Sequence, residues 1–444
     1  MEMEVTKILK EKGVVGAGGA GFPTYAKLKK EGILSYIVNG IECEPLLWVT
    51  KEILKRFPEK VAMGLAALKN YTNSKEAFIA VKSKYKHLFG NLEEFIQSEN
   101  LDIRIFYAGD FYPAGDEQIL VYEITGKVVP PGGIPLMVGA VVNNVETVYN
   151  VYNALFEGKP VTEKFITVSG DIEKPVTVKV PIGMKISSIL EQFEIEYEKK
   201  VIIDGGPIMG KIISKDDVIT KTSGGILVFE KKHPVVSKKM TPIEQILRKA
   251  RTCCIQCRYC TDQCPRYLLG HEIEPHKIMI SLAFNLEEKF LKSALICSEC
   301  GVCEMYSCPQ GLSPRRVNQY LKGLFAKKGV KYSAEKKEYS ARQNRDLRKI
   351  PTSRLLTRMS LDKYEKEPEF IDEKLKTDEV KIYTKQHIGA KAIPVVQRGD
   401  KVNEGDVLAK VEENLLGADI HASIPGIVTD VTEDFVIIKR EEKL

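Results

Sequence analysis

The chain has 444 residues, 43% hydrophobic and 28% charged, with 66 basic against 60 acidic side chains and a net charge of +6. That length exceeds one core and points to about three domains, while so mild a charge gives no reason to expect nucleic acid as a partner. The start, MEMEVTKILKEKG, is too charged for a signal peptide, and no apolar run approaches the ~18 residues of a membrane helix. The expectation is a reduced, cytoplasmic protein without a transmembrane segment.

Residues 7–12 read as the end of a short helix, followed by GAGGAGFPT with Gly16, Gly18, Gly19 and Gly21. A charged helical stretch precedes this loop and Pro23 follows it, so it is not a Rossmann fingerprint, which needs a strand before it and a helix opening inside it. Backbone without bulky side chains can wrap a phosphate or a flat ring; the same residues serve equally as a tight structural turn. Thr24 reads as the N-cap of a helix over YAKLKKEG, with Lys27 one turn in.

Residues 33–39 read as a buried strand ending at Asn39, where Glu42, Cys43 and Glu44 follow in the crevice that such strands open onto. Cys43 has no partner in sequence and reads as a small packed residue. Helical and strand patterns alternate over 52–70, 76–82 and 101–107, which argues an α/β layer with a mostly parallel sheet. Tyr112-Pro-Ala-Gly-Asp-Glu117 opens a helix. Asn143 and Asn144 then end a strand, where they suit either the polar edge of a heterocycle or the cap of the next helix, which begins near Thr147.

Residues 165–181 have the alternation of a β-hairpin, and a helix over 187–196 and further strands surround Asp204-Gly-Gly-Pro-Ile-Met-Gly210. Met209 reads as core. Eight of the ten cysteines then fall in two runs. One is Cys254-x2-Cys257-x2-Cys260-x3-Cys264-Pro; the other is Cys297-x2-Cys300-x2-Cys303-x4-Cys308-Pro. This is the spacing of two-cluster ferredoxins, in which the fourth cysteine serves the other cluster. Crossed ligation follows: Cys254, Cys257, Cys260 and Cys308 for one [4Fe–4S] cluster, and Cys297, Cys300, Cys303 and Cys264 for the other. Zinc uses paired C-x-x-C with four ligands per metal and leaves the third cysteine of each run without a role. Cys253 reads as a bystander, and His271 and His276 as structural.

Between the runs, Ile278, Leu282, Leu286, Phe290 and Leu295 have helical spacing, and Ser313-Pro314 starts another helix. From Lys322 to about Lys376 the chain is basic with few apolar anchors, which reads as a solvated linker with one short helix. The last 70 residues return to β pattern around Gln397-Arg-Gly-Asp400 and Ile424-Pro-Gly426.

The ordered strings GAGGAGFPT with Lys27, NGIECEP and VVNNVET resemble the FMN- and NADH-binding subunit of respiratory complex I, and still more the RnfC-type component of Rnf electron-transport complexes. CIQCRYCTDQCPRYLLGH and the C-terminal position of the last β module resemble most the cobalamin reductases of propanediol-utilisation microcompartments. The resemblance implies a multidomain α/β protein. Its parts would be an FMN/NADH-binding α/β domain (1–160), a β-grasp module (161–233), an α-helical two-[4Fe–4S] ferredoxin-like domain (240–330), a basic linker (331–376) and an all-β barrel-sandwich hybrid (377–444). The last resembles lipoyl carriers, but Glu412–Gly417 holds no lysine to modify.

It also implies that Gly16, Gly18, Gly19, Gly21 and Lys27 embrace the FMN phosphate, with Asn39, Glu42, Glu44, Asn143, Asn144 and Thr147 completing the site. Ile41 stands where the complex I pattern has an aspartate. The implied activity is that of an NADH-dependent oxidoreductase, with electrons passing from NADH through FMN and the clusters to cobalamin; the chemistry is the cofactors' own. Implied partners are NADH, a corrinoid, and an adenosyltransferase or another redox protein, within a microcompartment or a multisubunit assembly. Two alternatives share the motifs: an Rnf-type electron-input component of a membrane complex, and a relay adaptor that does not itself oxidise NADH.

Overall fold

The computed structural model describes residues 2–286, 288–334 and 338–441. After helix α1 (Glu2–Glu11), strands β1 (Ser35–Asn39), β2 (Glu76–Lys82) and β3 (Arg104–Ala108), the two-residue β4 (Phe111–Tyr112) and β5 (Ala140–Asn144) alternate with α2 (Val49–Arg56), α3 (Pro58–Thr72), α4 (Gly90–Ser98), α5 (Glu117–Thr125) and α6 (Val145–Phe156). The sheet runs β3-β2-β1-β5 with every pairing parallel. Strands β1, β2 and β5 are buried on both faces, as parallel strands covered by helices must be, while β3 forms a partly exposed edge. Tyr36 and Val38 face one core with α3 and α6, and Ile37 faces the other with α5. The expected helix over 52–70 is two helices, because Pro58 supplies no amide to carry the first onward and suits the first position of the second. The expected helix after Thr24 is a single 3-10 turn, Thr24–Lys27, with Pro23 at its cap; the buried Thr24 hydroxyl makes no hydrogen bond.

Strands β6 (Glu163–Gly170) and β7 (Val176–Pro181) form the expected antiparallel hairpin, followed by α7 (Ile186–Gln192), β8 (Lys200–Asp204), β9 (Lys211–Ile213) and β10 (Gly225–Glu230). Met209 is not core: it is 47% exposed, on the loop between β8 and β9. Helices α8 (Pro234–Met240), α9 (Ile243–Cys253), α10 (Tyr259–Asp262), α11 (Pro265–Leu268), α12 (Pro275–Phe284), α13 (Glu288–Leu291) and α14 (Pro314–Lys327) carry the cysteine runs. Ile278 and Leu282 pack as expected. Leu286 does not, because α12 stops at Phe284 and Asn285 takes a left-handed conformation.

The basic arm is not a solvated linker. Strand β11 (Ile350–Pro351) pairs with β4, and α15 (Thr352–Arg358) follows it. Leu355, Leu356, Met359, Leu361 and Tyr364 are then buried with Phe229 and Val302. Strand β12 (Glu369–Ile371) completes a six-stranded sheet, β12-β7-β6-β10-β8-β9. Three basic groups of the arm are engaged inside the molecule: Arg345 and Lys349 both bond Glu123, and Arg342 lies 3.9 Å over the Tyr267 ring. The chain ends in two small facing sheets. One is built from β13 (Glu379–Tyr383), β15 (Lys401–Val402), β18 (Gly426–Val431) and β19 (Phe435–Lys439), the other from β14 (Ile393–Pro394), β16 (Val407–Lys410) and β17 (Ile420–His421). They share one apolar core.

Candidate functional site

The glycine loop is pinned from three sides. Its base closes through the Val15–Pro23 bridge and the Gly16 amide, which donates to Phe22 O at 2.9 Å. Ala17 N donates to Thr147 Oγ1 at 2.9 Å, and Lys164 donates to Ala17 O at 3.1 Å. Lys164 also forms a buried ion pair with Glu146, whose other oxygen accepts from Phe165 N at 3.0 Å. A Cβ on Gly18 would lie 2.7 Å from Asn144 Nδ2, so a larger residue there must displace that side chain, whereas at Gly19 nothing lies within 4 Å and the backbone faces open space. Gly21, at φ +72°, presses on Gln386 and His387 of the C-terminal sheets, so that domain backs the loop.

Strand pairing sets the floor of the site. Val38 pairs with Asn143 and Asn39 with Asn144. Asn144 caps α6 by accepting from Glu146 N at 2.8 Å; Asn143 is buried and donates to Tyr36 Oη at 2.7 Å. Asn39 turns to Gly115 O at 2.8 Å and accepts from Ile41 N at 3.1 Å. The half-buried Lys27 donates to Val142 O at 2.9 Å and has Glu117 at 3.9 Å. Burial lowers the Lys27 pKa and raises that of Glu117. A cation with one loose counter-ion beside open, amide-bearing glycine backbone fits an anionic phosphate.

Glu42 and Glu44 leave this cluster. Burial raises Glu42, against the pull of Lys51 and hydrogen bonding to Thr50. Glu44 accepts from Ile208 N and Met209 N, each at 2.9 Å, and so ties the β8–β9 loop to the α/β layer. The Cys43 thiol accepts from Gly115 N at 2.7 Å, and burial pushes it up to about 12.

The eight motif cysteines gather as two foursomes, each drawn from both runs. Cys254, Cys257, Cys260 and Cys308 line one cavity. Cys264 feels the charge of Cys300 and Cys297, and Cys303 that of all three and of Cys260 in the other set. The two loops also share one backbone design. Gln256 and Glu299, two residues past the first cysteine of each run, have φ of 51° and 60°; Arg258 and Gly301, just past the second, have 66° and 76°. Three of these four carry side chains, and left-handed backbone costs each of them about 1 kcal/mol. Such a turn, present in both loops, aims successive sulfurs at a common centre.

Among the described residues no three His, Cys, Asp or Glu side chains converge tightly enough for a single ion. Four thiols around a cavity, in the spacing of two-cluster ferredoxins, fit a [4Fe–4S] cluster. Burial pushes the Cys260 and Cys300 thiols up to about 12, and Cys264 and Cys303 also well up. Ionising them needs the positive charge of bound metal. Glu299 N and Leu312 N already point at Cys297 Sγ and Cys308 Sγ, each at 3.3 Å. Of the histidines nearby, His271 bonds Val129 O and His276 bonds Thr261.

Two contacts join the foursome containing Cys264 and Cys300 to the α/β layer. Arg266, two residues past Cys264, makes a two-pronged bond to Asp116 at 2.8 and 3.0 Å; Asp116 caps α5, and the next residue is Glu117 beside Lys27. Tyr112 Oη donates to Cys300 O at 2.6 Å. In this set Cys264, Cys300 and Cys303 are buried, whereas Cys254, Cys257 and Cys308 of the other are only half-buried. One foursome thus lies inward, toward the glycine loop, and one outward. Sequence reasoning passed over Glu117, Tyr112, Lys164 and Arg266. Glu117 and Tyr112 stand in the Tyr-Pro-Ala-Gly-Asp-Glu string, whose regularity was the available signal.

The matching families follow this layout. Residues 9–153 match the Nuo51 FMN-binding domain, 253–313 a 4Fe-4S dicluster domain, and 358–443 the RnfC barrel sandwich hybrid domain. The fold and site define a flavin- and iron–sulfur-containing electron-transfer oxidoreductase. Cobalamin reductase PduS of Salmonella typhimurium is 38% identical over 98% of this chain and 96% of its own length, and that of Citrobacter freundii is 38% identical over 96% and 94%. The RnfC-type component of the Na(+)-translocating ferredoxin:NAD(+) oxidoreductase complex of Acetobacterium woodii is 31% identical over 60% and 58%. The chain belongs to the PduS cobalamin reductase family. No helix among its described residues is long and apolar enough to cross a membrane.

Proposed function

We propose that this chain oxidises NADH and delivers the electrons to a corrinoid, as a cobalamin reductase. FMN supplies hydride acceptance as an electron pair, and two [4Fe–4S] clusters supply one-electron release. In this reading the backbone of Gly16, Gly18, Gly19 and Gly21, with Lys27, holds the FMN phosphate, and Asn39, Asn143, Asn144 and Thr147 support the ring. Cys264, Cys297, Cys300 and Cys303 hold the inner cluster; Cys254, Cys257, Cys260 and Cys308 hold the outer one. Glu44 positions the β8–β9 loop rather than the flavin.

The observation that carries the reading is the exchange of fourth cysteines between the two runs, with the inner set bonded through Arg266 to the helix that also bears Glu117, beside Lys27. The corrinoid acceptor, and residence in a microcompartment, rest on kinship with the PduS reductases. Anaerobically purified protein should hold one FMN and about eight irons, and should convert hydroxocobalamin to cob(II)alamin with NADH. Loaded protein that consumes no NADH would overturn the reading and favour the relay adaptor.

A further inference from the structure

The outer foursome opens on a face with a distinct chemistry. Ile255 is 63% exposed and Tyr259 52%, and both stand between the half-buried Cys254 and Cys257 and the buried Cys260. In sequence, the stretch from Ile243 to Tyr259 carries Arg248, Lys249, Arg251 and Arg258 against a single acid, Glu244. Arg258 is partly neutralised by Asp262 at 3.6 Å and Glu274 at 3.9 Å, and Arg251 donates to Ala283 O. Arg248 and Lys249 are exposed on α9, within two turns of Cys254, and pair with no carboxylate among the described residues.

We propose that this face is a docking surface for an acidic single-electron carrier protein, with Ile255 and Tyr259 as its apolar centre and Arg248 and Lys249 as its steering rim. An apolar centre with a charged rim is how a transient protein interface is built, and charges of one sign select a partner of the other. One electron leaves the outer cluster and reduces the carrier's own cofactor; no bond forms or breaks and no proton moves. The inference rests on the cluster assignment proposed above and goes beyond it in naming the kind of partner.

The test is calorimetric binding of oxidised cytochrome b5, an acidic probe, to the oxidised holoprotein at about 20 and about 200 mM salt, where screening differs. Binding should weaken at least about tenfold with salt. It should weaken at least about tenfold in R248E/K249E with iron content unchanged, and stay within about twofold in K174E/K199E, which reverses two exposed lysines of the β6–β10 sheet module. Basic cytochrome c should bind only to R248E/K249E. No binding of cytochrome b5 to the wild type, equal binding to R248E/K249E, or equal losses in both variants would overturn the proposal. A failure of NADH oxidation would instead show as an unreduced flavin and would leave these binding data intact.

Discussion

Replacing Lys164 by methionine tests how the glycine loop is held. Lys164 and Glu146 side chains are 2% and 4% exposed, and among the described residues the ammonium is the one counter-charge in contact with the carboxylate, as well as the donor to Ala17 O. Without it Glu146 keeps only Phe165 N, and breaking a buried pair from one side costs about 3–5 kcal/mol. The carboxyl can escape by protonating, at about 1.4 kcal/mol for each of the roughly 2.5 units between pH 7 and an ordinary glutamate, which limits the loss to about 3.4 kcal/mol.

For a domain of this size that is a fall in melting temperature of roughly 7–14 °C. In the variant, Glu146 has a folded pKa raised above its unfolded value. The deficit should therefore be largest above neutrality and shrink as pH falls toward 5. FMN, titrated by fluorescence quenching into the apoprotein, should bind at least about tenfold more weakly, and K164M/E146Q should recover much of the melting temperature. A variant that melts within about 1 kcal/mol of wild type, or whose deficit ignores pH, would refute the reasoning.

Cys308→Ala should cost the outer cluster, nucleated by the first run, and leave the inner cluster's EPR signal; loss of the inner signal instead would mean ligation is not crossed. Gly18→Ala should displace Asn144 from its cap and lower apoprotein stability by about 1 kcal/mol, whereas Gly19→Ala should leave stability unchanged and weaken FMN binding. Lys221, buried and bonded to Gly13 O and Asp419 O, is lowered by burial to about 7. The unfolded chain thus holds more protons between pH 7 and the ordinary lysine range, so stability should rise with pH there. In Lys221→Met, pH-dependent melting should lose that slope.

The cysteine runs were legible because a three-residue step between thiols is a local constraint, and the expectation of crossed ligation came from spacing alone. The backbone strain that shapes both loops was not legible, since Gln256, Arg258 and Glu299 give no sign of φ > 0 and only Gly301 does. The parallel sheet showed in its apolar strands. Lys164 hid in an apolar strand of the six-stranded sheet, because β6 is buried on both faces and alternation is no guide there. The arm was misread because Leu355, Leu356, Met359, Leu361 and Tyr364 are spaced among charges and find their core in Phe229 and Val302, far away in sequence. The bonds of Glu44 were not legible for the same reason: its partners Ile208 and Met209 lie on the distant β8–β9 loop.

The central claim is that the inner cysteine set stands between the flavin site and the outer set, with NADH as the source of electrons. Anaerobic holoprotein mixed with NADH and freeze-quenched over time should show flavin bleaching, then reduced-cluster EPR signals. In Cys264→Ala the flavin should still bleach while the outer cluster stays oxidised. An outer cluster reduced at the wild-type rate in that variant would contradict the route, and a flavin that NADH never bleaches would contradict the source.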